Sequence, residues 1–255
     1  MSNMEILLDC IMDLGQQMLI CGGEVHWIEE SLCTILRAYG ASQTDVFIIT
    51  SSMVVTVHTK DGEAYTQTRR ISDATSDFER LHALNDCSRW ICAEHPSPEE
   101  IRAKITSITT KTKQYPLWLN FLCYAVIAAA FTLFFGGSFT DACISFVVGL
   151  LMRSAIWLCD RTISNKIFTK FFAAFTATLL SLLSLHLGFV AGVDKVMIGN
   201  IMTLIPGIGL TNALRDLFVG DSIAGLLRTI EACIAALCIA GGFFAAVFIT
   251  GGAGL

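Results

Sequence analysis

A chain of 255 residues that is 54% hydrophobic and still 15% charged is too apolar for an ordinary soluble domain, and its charges must be segregated from its apolar runs. Residues 1–115 hold 10 Lys/Arg and 16 Asp/Glu, whereas residues 116–255 hold 7 and 6 in a longer stretch. The net charge of −5 therefore resides in the first part, which has no basic stripe with interleaved aromatics, and nucleic acid is excluded as a partner.

Apolar residues at Ile6, Leu7, Cys10, Ile11, Leu14, Met18 and Leu19 recur at helical spacing, and Val25, Ile28, Leu32, Ile35 and Leu36 do so again. Two amphipathic helices are predicted, with Glu24, Glu29 and Glu30 at the start and on the wet face of the second. β-Branched runs follow at 45–50, 53–59 and 64–70, and the turn Lys60-Asp61-Gly62 joins the last two as a hairpin. A helix capped by Ser76 or Asp77 extends to about Glu94; another is capped by Ser97, with Pro98 at its first position and acids in its first turn. Helix, helix, three strands, helix, helix defines a small α+β domain over residues 1–115, tied to the apolar half of the chain by ITSITTKTKQY. The opening MSNMEILLDCIMDLGQQ has acids where a secretory leader has a basic region, so the domain is expected to stay in the cytoplasm.

Residues 116–255 read as an α-helical membrane domain. The uncharged run 117–135 is long enough to cross most of a hydrocarbon core of about 30 Å, and Pro116 sits at its first turn. Further spans are predicted at 141–158, 167–189, 196–210 and 226–249, about five in all. Arg102, Lys104, Lys111 and Lys113 precede the first span, Arg161, Lys166 and Lys170 separate the second from the third, and Arg215 and Arg228 lie between the fourth and fifth. The bias of positive loops to the inner face then puts the N-terminus in the cytoplasm and the C-terminus outside.

The fourth span is interrupted. Pro206 removes an intrahelical hydrogen bond and Gly207 eases the departure from helical geometry, while Asn200 and Thr203 precede the break and Thr211, Asn212, Arg215 and Asp216 follow it. If the helix resumes after Gly209, Asn212 and Asp216 stack at i and i+4 with Thr211 and Arg215 beside them. A broken helix with a polar face is how secondary transporters hold small polar substrates, and Arg215 would meet a carboxylate. A helix end anchored at the interface, with Arg215 and Asp216 paired, explains the same residues.

Other charges in this half divide by depth. Asp141, Asp160 and Asp194 fall near span ends, where water is close. Arg153 lies deeper and needs a partner such as Glu231 or a lipid phosphate, and Arg228 and Glu231, one turn apart, form either an ion pair or a proton-coupling element. Asp221 is placed to cap the fifth helix and Gly225 to allow close packing, as do the small-residue pairs Ala236/Ala240 and Gly242/Ala246, against a missing half if one exists. The ten Cys are scattered without a CxxC pair, which fits a reducing compartment; Cys87, Cys92 and His95 lack a fourth ligand at usable spacing. No metal, cofactor or catalytic residue is expected, and without a GxSxG elbow the chain does not read as an enzyme.

Three stretches, LIPGIGLTNALRDLFVGDSIAGLLR, CGGEVHWIEESLCTILRAYGA and KDGEAYTQTRR, together resemble the threonine/serine exporter family. The resemblance is to the type whose N-terminal half is a separate chain, as in two-component succinate exporters. It implies a subunit of a secondary exporter in the cell's inner membrane that moves threonine and serine, or a dicarboxylate such as succinate, out of the cell. It also implies a partner, a small apolar membrane protein that supplies the second half; assembly with further copies of itself is compatible as well. The competing reading is a membrane-anchored regulatory or sensor subunit whose cytoplasmic domain binds a ligand or protein.

Overall fold

The computed structural model describes residues 3–71, 75–111, 115–162, 165–190 and 192–251. Packing divides the chain into two compact units, one of Met1–Lys113 with Leu210–Thr229, the other of Gln114–Gly209 with Ile230–Leu255. Leu210–Thr229, far along the chain, packs with the N-terminal unit.

In the first unit α1 (Asn3–Ile20) and α2 (Val25–Ala38) precede a three-stranded antiparallel sheet, β1 (Gln43–Ile49), β2 (Ser52–His58) and β3 (Ala64–Arg70), in the order β1-β2-β3. α3 (Phe78–Glu94) and α4 (Pro98–Lys111) follow. The apolar stripes read from the sequence are in the core: Leu7, Ile11, Leu14, Met18, Ile28, Leu32 and Ile35 are buried, together with Met53, Val55 and Val57, which alternate inward along β2. β1 begins at Gln43, ahead of the expected residue 45, because Gln43 still pairs with His58 in the β1/β2 register. The cap of α3 is Asp77, whose Oδ1 accepts the Arg80 amide at 3.0 Å. α4 starts with a reciprocal box: Ser97 Oγ accepts from Glu100 N, and Glu100 Oε2 accepts from Ser97 N at 2.8 Å.

The second unit contains α5 (Leu117–Phe134), α6 (Phe139–Thr162), α7 (Lys166–His186), α8 (Val193–Met202) and most of α10 (Ser222–Ile249). Among the described residues α5, α6, α7 and α10 are each long and apolar enough to cross a membrane, and α8 with α9 (Gly207–Val219) makes a fifth candidate if that bent pair is one span. Phe134, Leu237 and Phe248 stand exposed on these helices, as a hydrocarbon solvent permits. The expected fourth span at 196–210 is displaced at both ends. α8 stops at Met202, the chain bends by 55° across residues 203–206, and helix resumes at Gly207 rather than after Gly209, running on to Val219. Proline explains the restart: with φ preset and no N–H to satisfy, Pro206 suits the residue just before a helix, and it biases Ile205 away from helical geometry.

Candidate functional site

The polar residues around the break fall into two clusters, one in each unit. The first lies inside the membrane unit and is uncharged. Asn200, fully buried on α8, donates through Nδ2 to Ser145 Oγ of α6 at 2.8 Å and to the Val196 carbonyl at 2.9 Å. Ser145 Oγ is in turn 2.7 Å from Thr132 Oγ1 of α5, which also reaches the Ala128 carbonyl at 2.9 Å. Since Nδ2 faces a carbonyl oxygen, the amide orientation is fixed, and Asn200 Oδ1 is a buried acceptor with no hydrogen-bond partner among the described residues. Close approach of α8 to α5 makes this possible: a Cβ on Gly199 would collide with Thr132 and come within 2.9 Å of the Ala128 carbonyl. Thr203 turns its hydroxyl back to the Asn200 carbonyl at 2.7 Å, a second donor to an oxygen that also accepts the Thr203 N–H at 3.2 Å.

Thr132 and Ser145 were not legible as site residues, because single hydroxyls in apolar runs read as packing. A signal was present: Ala125, Ala128 and Thr132 on α5, and Ser145 and Gly149 on α6, are small residues at helical spacing, which marks a close seam. Asp141 is buried but accounted for. It accepts from Ser138 N at 2.9 Å, Ser138 Oγ at 2.7 Å and Gly192 N at 3.4 Å, and so caps α6 and ties it to the start of α8.

The second cluster lies in the N-terminal unit and is charged. Arg215 Nη1 donates to Glu24 Oε1 at 2.8 Å, Arg228 Nη1 lies 3.2 Å from Asp216 Oδ2, and Arg228 Nη2 donates to the Gly23 carbonyl at 3.0 Å. Asp221 Oδ2 stands 3.6 Å from His26 Nδ1. Glu24, expected as a wet helix start, is thus a partner of the segment 191 positions away. Asp216 is 1% exposed, so the 3.2 Å pair with Arg228 is desolvated, whereas Arg215 at 64% exposure keeps most of its donors in the open. The turn that carries these groups is tight, since a Cβ on Gly225 would lie 2.7 Å from Leu217 Cγ and 2.9 Å from the Ala213 carbonyl.

The residues named from the sequence therefore do not form one constellation. Asn200, Thr203, Pro206 and Gly207 belong to the membrane unit; Thr211, half-buried Asn212, Arg215, Asp216, Asp221 and Arg228 belong to the other. The i, i+4 stacking of Asn212 with Asp216, and of Thr211 with Arg215, holds along α9. Arg228 takes Asp216 as its ion partner, not Glu231, which is exposed. Arg153 likewise meets no carboxylate among the described residues: its Nε donates to Asn120 Oδ1 and its guanidinium lies 5.2 Å from the Tyr124 ring centre. Gly242 packs on Phe171 of α7, within the chain itself rather than on a missing half.

Residues 9–250 match the family described as "Putative threonine/serine exporter". The chain belongs to the threonine/serine exporter family. With four to five candidate spans it is a multi-pass membrane protein of that exporter family. It is 28% identical over 211 residues to the "Probable succinate transporter subunit YjjP" of Klebsiella aerogenes, covering 81% of this chain and 80% of that protein. The protein of the same description from Escherichia coli K12 is 27% identical, with 90% and 89% covered. The "Probable threonine/serine exporter" of Mycobacterium tuberculosis is 22% identical over 87% of this chain, and only 42% of that exporter is covered. No solved structure matches.

Proposed function

We propose that this chain is one half of a secondary exporter that moves small hydrophilic metabolites out of the cell, threonine and serine or a dicarboxylate such as succinate. The second half is a separately encoded apolar membrane protein. Support for the half-transporter comes from the relatives described as transporter subunits, which the chain matches over 80% and 89% of their length. In this reading the N-terminal unit is cytoplasmic, as the Lys/Arg loops require, and the C-terminal end lies outside.

The single observation that carries a transport path through the membrane unit is the Thr132–Ser145–Asn200 network beside the broken helix, with its unfilled acceptor. Unmatched polar groups at membrane depth are costly and are kept where a substrate or cavity meets them. The missing partner of Asn200 Oδ1 is a donor. Threonine and serine offer a hydroxyl and an ammonium group; succinate at neutral pH offers acceptors only, which favours the amino acids as cargo. Pro206 and Gly207 form the break and Thr203 lies beside it; on α9, in the other unit, Arg215 keeps donors beyond its Glu24 bond for a carboxylate, with Asn212 on the same helix.

The test is efflux from cells loaded with threonine, serine or succinate, with and without the co-expressed second half. Efflux is expected only with both chains, and transport by the purified chain alone in liposomes would overturn the half-transporter. Arg215→Lys, which keeps charge but loses the planar fork, and Asn212→Ala are each expected to lower efflux per inserted protein. Normal efflux from both would return the α9 residues to an interfacial anchor.

A further inference from the structure

The N-terminal unit has a cleft of about 590 Å³ between α2 and the free edge of β1, within the size range of small-metabolite sites. One face of α2 lines it with His26, Glu29, Glu30, Cys33 and Arg37, at spacings of three and four residues. β1 contributes Thr44 through Phe47 on the opposite wall. The Ile48 N–H, pointing away from β2, is taken by Glu29 Oε1 at 2.9 Å. By the two-residue alternation of an antiparallel strand, the N–H and C=O groups of Val46 and Thr44 face the same free edge. The Thr44 hydroxyl oxygen is buried and has no hydrogen-bond partner among the described residues.

Charge decides what the cleft takes. Three carboxylates, Glu29, Glu30 and Asp45, face one guanidinium, Arg37. Among the described residues no Lys or Arg pairs with Glu29, and burial pushes its carboxyl up to about 7 against the Ile48 amide, with Asp221 and Asp216 adding to the rise and His26 opposing it. A half-buried acid with no Lys or Arg bound to it is a place for an ammonium group, which would also favour its charged form. A dicarboxylate would meet the acids Glu29, Glu30 and Asp45 with one guanidinium to hold it.

We propose that this cleft is a binding site for a small metabolite that carries an ammonium group, with Glu29 and Glu30 holding the ammonium, Arg37 a carboxylate and the β1 edge the remaining polar atoms: an amino acid and not a dicarboxylate. No residue of the cleft belongs to the Thr132–Ser145–Asn200 network of the membrane unit, and neither Asn212 nor Arg215 lines it. Its position gives it an output. His26 lines the cleft and faces Asp221, and Glu24, at the start of the same helix, holds Arg215, so occupancy of the cleft bears on the helix that grips the α9/α10 turn.

The experiment is calorimetric titration of the purified full-length chain with L-threonine, L-serine and succinate. Amino-acid binding is expected, with succinate at least about tenfold weaker. Glu29→Gln/Glu30→Gln is expected to weaken amino-acid binding about tenfold or more, the exposed Arg37→Ala to weaken it as well, and Lys60→Ala, in the β2/β3 turn outside the cleft, to leave it unchanged. Absence of amino-acid binding, equal binding of succinate, insensitivity to both cleft variants, or an equal loss in Lys60→Ala would each overturn the assignment. Binding is read without a partner and without transport, so this result and the efflux result can fail independently.

Discussion

The two polar clusters differ in how they satisfy the same chain. In the membrane unit, Thr132, Ser145 and Asn200 are neutral, fully buried and linked by bonds of 2.7 to 2.8 Å. In the N-terminal unit, Glu24, His26, Arg215, Asp216, Asp221 and Arg228 are ionisable and range from nearly buried to well exposed. A charge removed from water needs a partner and further bonds, whereas a hydroxyl or amide needs only one or two, so this network is built of uncharged groups, and buried Asp141 in the same unit is held by several hydrogen bonds. Next to the break the two sides therefore differ: the buried amide of Asn200 lies before Pro206, and the buried charge of Asp216 lies after it.

Breaking the buried ion pair tests this contrast most severely. Arg228→Met leaves Asp216 buried without its cation and is expected to cost about 3–5 kcal/mol, read as a fall in melting temperature of the detergent-purified protein. Adding Asp216→Asn should restore much of it, and a double variant no better than the single would show that the pair is not what holds the turn. In the neutral cluster, Gly199→Ala forces a methyl against Thr132 and the Ala128 carbonyl, for an expected loss of roughly 1–3 kcal/mol by the same measurement.

A smaller effect separates the units by pH. Glu29 lies outside the spans, and its folded pKa of about 7 stands above the ordinary 4.5 because burial disfavours the carboxylate. Its contribution to stability is thus fully present below about pH 4.5 and is lost as pH rises through about 7. Glu29→Gln should flatten the decline in melting temperature over that window, and an unchanged pH profile would mean that Glu29 is not desolvated. Smallest of all is Glu24→Ala. Its partner Arg215 is 64% exposed, so the pair is expected to be worth less than about 1 kcal/mol.

What the sequence made legible was local. The stripes of α1 and α2, the β2/β3 hairpin, the Ser97 cap and the interruption at Pro206 all depend on residues within a turn or two of one another, and each appears in the fold. The long-range pairings were not legible: Glu24 looks like a solvated helix start until Arg215 arrives from the far end of the chain, and Arg228 has an acid one turn away that it does not use. Ser145 and Thr132 were missed for a related reason. A lone hydroxyl in a span can bond its own backbone, and only the approach of α8 at Gly199 shows that these two face Asn200.

The most direct test of the path through the membrane unit is efflux by Asn200→Ala, co-expressed with the second half and normalised to folded, membrane-inserted protein. Loss of the amide removes both the link to Ser145 and the acceptor offered to cargo. The expected result is a fall in threonine or serine efflux of about tenfold or more, the rate equivalent of roughly 1.4 kcal/mol from one buried hydrogen bond. Efflux equal to that of the parent chain would contradict a path through Asn200.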